Sequence, residues 1–300
     1  MSENAAPAEV VAGDQSFGTG RRRSLSWLGA VPFYAYVGLF LVLPTGIVVF
    51  QAFFTASGRP TLENIHALTT SVVLEAFLKS IVLSLVSALL GASLGAVLAY
   101  MIASGPPDGT ARRLWTAAAG VLAQFGGVTL AFAFLATVGP VGLLTLALNN
   151  LFGLTLSGGW LVNLTGLIVV YTYFQIPLMV LVFLPALDGI RPQWREAAES
   201  LGGTSWQYWR HIAIPLLTAP FMGAVLLLFA NAFAAYATAA ALISQGGVII
   251  PLQIRIALTS ETVAGQENVA KALALGMIIV VAIAMTLYAM LQRRSARWLR

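Results

Sequence analysis

The sequence predicts an all-α integral membrane protein with six transmembrane helices, and three observations predict it. Hydrophobic residues make up 59% of the 300-residue chain and charged residues only 9%, with a mean hydropathy of +0.87. Soluble domains carry roughly 25% charged residues. Six apolar runs, near 28–53, 80–103, 114–137, 161–186, 216–243 and 272–292, are each long enough to cross a hydrocarbon layer, which takes about 20 helical residues. The basic residues, finally, cluster in short segments between those runs.

Residues 1–26 lack apolar periodicity and are expected to form a disordered tail, leaving 27–300 as one transmembrane domain. The run after Arg21-Arg22-Arg23 exceeds the roughly 7–15 residues of a signal-peptide core, so it is expected to stay as a first span. Lys and Arg concentrate on the cytoplasmic side of membrane proteins. A cytoplasmic N-terminus places twelve of the 16 basic residues inside, among them Arg112, Arg113, Arg191, Arg195 and Arg210, and only Arg59, Lys79, Arg255 and Lys271 outside. Both termini are then expected in the cytoplasm, as is the segment between spans four and five. That topology also accounts for the net charge of +5 without a nucleic-acid partner. The absence of cysteine excludes disulfides and thiolate metal sites, and no metal or other cofactor is expected.

The segment between spans four and five, "REAAESLGGTSWQYWRHIAIPLL" (195–217), is the longest soluble-looking stretch between apolar runs. Pro192 suits a first helical turn, where its missing N–H would have no partner. Gly202-Gly203 then stops that helix. Thr204 and Gln207 have the spacing of a capping box, which predicts a second short helix to about Ile212, with Pro215 opening span five.

Glu196-Ala197-Ala198, Gly202, Ile212, Ile214 and Pro215 resemble the EAA motif (EAA, three residues, G, nine residues, I-x-L-P) of permease subunits of binding-protein-dependent ABC importers, with Ile214 where the family usually has Leu. The likeness covers a core of 76–290, with the coupling loop at 191–215. "FANAFAAYATAAAL" (229–242) and "LKSIVLSL" (78–85) are similar to the spermidine/putrescine, iron, thiamine and phosphonate group of these permeases. The resemblance implies a type I, methionine-permease-like fold and a loop that docks in a groove of a cytoplasmic ABC ATPase dimer. It also implies a second permease subunit, expected to be a different chain, and an extracytoplasmic solute-binding protein. The sequence contains no G-x-x-x-x-G-K-[ST] loop, so ATP hydrolysis would belong to the partner and this chain would be no enzyme.

Within the loop, Gly202 is expected to supply the sharp turn. Glu196 would pair either with a cation on the ATPase or with Arg195 or Arg210. Trp206 and Tyr208 are candidates for interface anchors, although aromatics also gather at membrane boundaries. His211 is expected to be interfacial. Gly91-Ala92-Ser93-Leu94-Gly95 fits the nucleophile-elbow pattern of hydrolases, but inside an apolar helix its glycines are expected to serve close helix packing. With these boundaries no span holds an ionisable residue, which disfavours the alternative, a secondary transporter or channel working without an ATPase. Gln124, Tyr173, Gln175, Asn231 and Tyr236 are the candidates for lining a pathway. The expected substrate is a small polar solute such as a polyamine, whose charge tyrosine faces such as Tyr173 and Tyr236 would tolerate, with a phosphonate, an iron carrier and thiamine left open.

Overall fold

The computed structural model describes residues 30–55, 57–153, 158–243, 248–259 and 266–297, and among them all regular elements are helical. The tail 1–26 lies outside the described residues. The chain divides into two compact units, residues up to Gly46 and residues from Ile47 onward. The first unit holds most of α1 (Val31–Gln51), an apolar helix whose large side chains, Phe33, Tyr34, Tyr36 and Phe40 among them, are exposed. It widens to π-helical turns over Gly38–Val42, just before Pro44.

The second unit is built on α2 (Ser71–Ala103) and α6 (Leu164–Asp188). A side chain at Gly91 would place its Cβ 2.6 Å from that of Gln175, and one at Gly95 would meet the Met179 Cβ at 2.5 Å and the Ile176 carbonyl at 2.6 Å. Only glycine lets the two backbones approach this closely. The G-x-S-x-G stretch is therefore a packing face, with Ser93 on the opposite, exposed side donating to the Leu89 carbonyl at 2.7 Å. Across the same interface the Gln175 amide donates to the Ser87 hydroxyl at 2.7 Å. Interhelical bonds of this kind contribute about 0.6–2 kcal/mol in membranes. Ser87→Ala should therefore lower the detergent melting midpoint slightly while leaving expression unchanged, as fluorescence-detected size exclusion after heating would show.

Several boundaries differ from the sequence expectation. Helix α2 starts at Ser71, not at 80, because Glu75 and Lys79 form an i,i+4 ion pair at 2.6 Å that suits an exposed helical turn. The last helix, α11 (Gln266–Arg297), likewise begins before 272 and takes in Glu267 and Lys271. Charged residues thus occupy the ends of the spanning helices.

The third apolar run is not a continuous span over 114–137. It is cut into α3 (Thr110–Gln124) and α4 (Gly127–Val138), with Gly127 at φ +67, and the membrane-length apolar stretch runs on through α5 (Leu143–Phe152), so that it covers Gly127–Phe152. The segment between the third and fourth apolar runs accordingly contains a helix.

The fifth run is also cut. Helix α8 (Ser205–Ala234) ends where Ala235 turns extended, and α9 (Ala237–Leu242) follows. The Tyr171 hydroxyl donates to the Ala235 carbonyl at 2.7 Å, satisfying an acceptor that the break releases. The two breaks meet: a Cβ at Gly127 would lie 3.5 Å from that of Ala237.

Two cores are stacked along the bundle. One holds Ala119 of α3, Met179 and Phe183 of α6 and Leu217, Val225 and Leu228 of α8. The other holds Leu130 of α4, Tyr171 and Phe174 of α6 and Ala239 and Leu242 of α9. Each broken helix gives one half to each core. At the end of the first core Arg112 of α3 holds Asp188 of α6 at 2.6 Å, with the arginine side chain largely covered.

Candidate functional site

Beyond Asp188, the chain turns into α7 (Pro192–Ser200), with Pro192 in its first turn as expected. The hinge that follows is set by Gly202 at φ +77, a left-handed conformation that costs a residue with a Cβ about 1–2 kcal/mol. A Cβ there would meet nothing within 4 Å, so the constraint is backbone conformation alone. Thr204 then closes a reciprocal capping box with Gln207: the Gln207 N–H donates to the Thr204 hydroxyl at 3.3 Å, and the Thr204 N–H to the Gln207 side chain at 2.8 Å.

The second short helix is not separate. It continues from Ser205 through π-helical turns over Trp209–Ala213 into α8, so the segment from Ser205 to Ala234 is one apolar helix. The widened turns fall immediately before Pro215, whose ring would otherwise crowd the carbonyl one turn back. Of the two short helices expected in this segment, α7 alone stands apart from the membrane helices.

The predicted residues divide by exposure. Glu196 and Ala197 are exposed and Ala198 is half-buried. Arg195 pairs with Glu199 at 2.9 Å, so the expected internal partner of Glu196 is engaged elsewhere on the same helix. Trp206 is 67% exposed whereas Tyr208 is 8% exposed, its ring 6.2 Å from that of Trp209. Tyr208 is thus a packing residue of this chain, and Trp206 is the aromatic on the open surface. Leu201, 89% exposed beside the hinge, is an apolar residue that the sequence reading passed over. His211 is exposed, its Nδ1 3.0 Å from the Gln207 carbonyl. Ile212 and Pro215 join Trp194, His211, Leu216 and Pro220 in lining an apolar cleft of about 840 Å³ between α6, α7 and α8.

Of the pathway candidates, Gln124, Tyr173, Asn231 and Tyr236 are exposed, and three of them flank the breaks: Gln124 ends α3, Asn231 lies in the last turn of α8, and Tyr236 precedes α9. Tyr173 packs edge-on against Phe134 of α4 at 5.6 Å. Gln175 does not belong with them. It is 0% exposed, wedged against Gly91 and bonded to Ser87, so it holds helices together and lines nothing.

The described residues thus hold six membrane-length helices with an exposed helical segment between the fourth and fifth, the architecture of type I ABC importer permeases. The fold is that of a chain in a bacterial ABC transporter involved in the import of the acidic polysaccharide alginate (TM-score 0.72, 18% identity, 92% of this chain and 96% of that one). It is shared by the MetNI methionine ABC transporter in an inward-facing conformation (TM-score 0.56, 15% identity, 75% and 96%). The profile of the binding-protein-dependent transport system inner membrane component family matches residues 128–300, more than half of the sequence, and the chain belongs to that family. It is thus a multi-pass protein of the bacterial inner membrane. The sulfate transport system permease protein CysT of Escherichia coli (strain K12) is 30% identical over 99 residues, which span 30% of this chain and 36% of that protein.

Proposed function

We propose that this chain forms one transmembrane half of an ATP-driven importer and that α7 with the Gly202 hinge is its mechanical link to a cytoplasmic ATPase dimer. The observation that carries this reading is the hinge geometry. The short helix α7 is followed by a glycine at φ +77 and then by a closed capping box that opens α8, while Glu196, Leu201 and Trp206 stay exposed. An uncovered Trp and Leu beside a fixed turn form the kind of apolar anchor that a partner groove takes up. On this reading Glu196, Ala197, Ala198, Gly202 and Trp206 meet the ATPase. Tyr208, Ile212 and Pro215 support them from within. The termini lie in the cytoplasm, and the far loops receive a solute-binding protein. Glu267, in the first turn of α11, and Arg255 of α10 (Ile250–Thr259) are among the charged residues that this reading places on that side.

The second permease half is a different chain in this reading. Purification of the tagged chain in mild detergent should recover an ATPase and a second permease in stoichiometric amounts. Transport-active material lacking any ATPase would instead establish a secondary transporter or channel.

The solute is small and polar. A polyamine is supported by the exposed faces of Tyr173 and of Tyr236, the latter beside a break, where cation–π attraction contributes about 0.5–2 kcal/mol. A second reading, an oxyanion, is supported by the likeness to the sulfate permease over its 99 residues. Uptake of labelled putrescine and labelled sulfate into proteoliposomes holding the whole complex separates the two.

A further inference from the structure

Helix α10 (Ile250–Thr259) is seated far from the coupling segment in sequence, yet it is tied to the same body of helices. Its first residue, Ile250, is fully buried, and the N–H there has no acceptor within its own helix. The Ser80 hydroxyl of α2, itself 2% exposed, accepts that N–H at 2.9 Å. Around this bond Ile250 packs with Val73, Ala76 and Phe77 of α2 and with Leu273 and Met277 of α11.

The face of α2 that carries Ser80 continues as Ser84, Ser87, Gly91 and Gly95. Ser84 donates to the Ser80 carbonyl at 2.7 Å, Ser87 receives Gln175 of α6, and the two glycines lock α2 against α6. Helix α6 then leads through three residues, Gly189 to Arg191, into α7. From α10 to α7 the connection runs through apolar packing of α10 on α2, α11 and α6, one buried hydrogen bond, and the close-packed α2–α6 pair.

We propose that Ser80 is the positioning residue that fixes α10 to the α2–α6 body, so that a displacement of α10 by the substrate-loaded binding protein is delivered to α7. The inference rests on the importer reading above. Without the Ser80 hydroxyl α10 keeps its apolar seat on α2, but its buried first N–H loses its acceptor and the start of the helix is held less firmly.

The test is ATPase activity of the reconstituted complex with and without substrate-loaded binding protein. Ser80→Ala should leave basal hydrolysis near wild type and lower the melting midpoint slightly, as Ser87→Ala does, while reducing the stimulated rate roughly fivefold, the factor that corresponds to a lost hydrogen bond; Ser87→Ala, equally destabilised, should keep its stimulation. The pair Ser80→Cys and Ile250→Cys, in a chain with no other cysteine, replaces the bond by a disulfide. Stimulation should be present when oxidised and reduced when the disulfide is opened. Wild-type stimulation in Ser80→Ala, or stimulation of the pair indifferent to its redox state, would overturn the role of Ser80. A wild-type complex in which binding protein never stimulates hydrolysis would instead overturn the importer reading.

Discussion

Gly202→Asp should reach the membrane at normal abundance and lose uptake and substrate-stimulated ATP hydrolysis together. The fold tolerates the change: a Cβ at this position touches nothing within 4 Å, and the left-handed conformation costs about 1–2 kcal/mol, confined to an exposed turn. The loss arises on docking, where an unpaired carboxylate would be buried at a cost of several kcal/mol, more than a hundredfold in affinity. Gly202→Ala carries the strain without the charge and should lose far less. Glu196→Ala should be milder still, because an exposed ion pair contributes only about 0–1 kcal/mol. Uptake and ATPase rates in proteoliposomes with matched amounts of each variant make the comparison. Full coupling in Gly202→Asp would remove α7 from the mechanism.

Gly95→Ala should destabilise the α2–α6 pair. Its Cβ would fall 2.5 Å from the Met179 Cβ and 2.6 Å from the Ile176 carbonyl oxygen, so α2 and α6 must part. Overpacking of this kind costs about 1–3 kcal/mol, which corresponds to a fall in melting midpoint of about 3–10 °C. Gly120→Ala on α3 is the control, since a Cβ there meets nothing within 4 Å and alanine favours a helix by up to about 1 kcal/mol. The control should match or slightly exceed wild type. A Gly95→Ala midpoint equal to that of Gly120→Ala would contradict the close approach of the two helices.

What was legible in the sequence was whatever the chain's local chemistry decides. Pro192, Gly202 and the Thr204–Gln207 pair dictate backbone conformation within a few residues, and all three sit as their types require. Apolar runs marked the spans because length and hydropathy suffice for that. The breaks were not legible. Hydropathy is indifferent to a lost hydrogen bond, and although Gly126-Gly127 gave a usable signal, Ala235 carries neither glycine nor proline beside it. Gln175 was misplaced for a related reason: α6 is apolar all round and buried on most faces, so periodicity could not say which side it presents. The charge of Glu75 and Lys79 suggested a loop where an ion pair extends a helix.

The paired breaks have a consequence for leakage. An importer driven by ATP must never offer a continuous aqueous route, because one open connection would discharge the solute gradient and the ion gradients around it. Straight helices can only splay as whole rods, and a tilt that opens one mouth alters the other by the same angle. Here α3 and α8 belong to the layer nearer α7, while α4 and α9 lean on each other in the layer beyond. Interruption at one depth in both chains of helix gives each of them a joint between the two layers, so that a half-helix can tilt without carrying the other half with it, while α2 and α6 run unbroken through both.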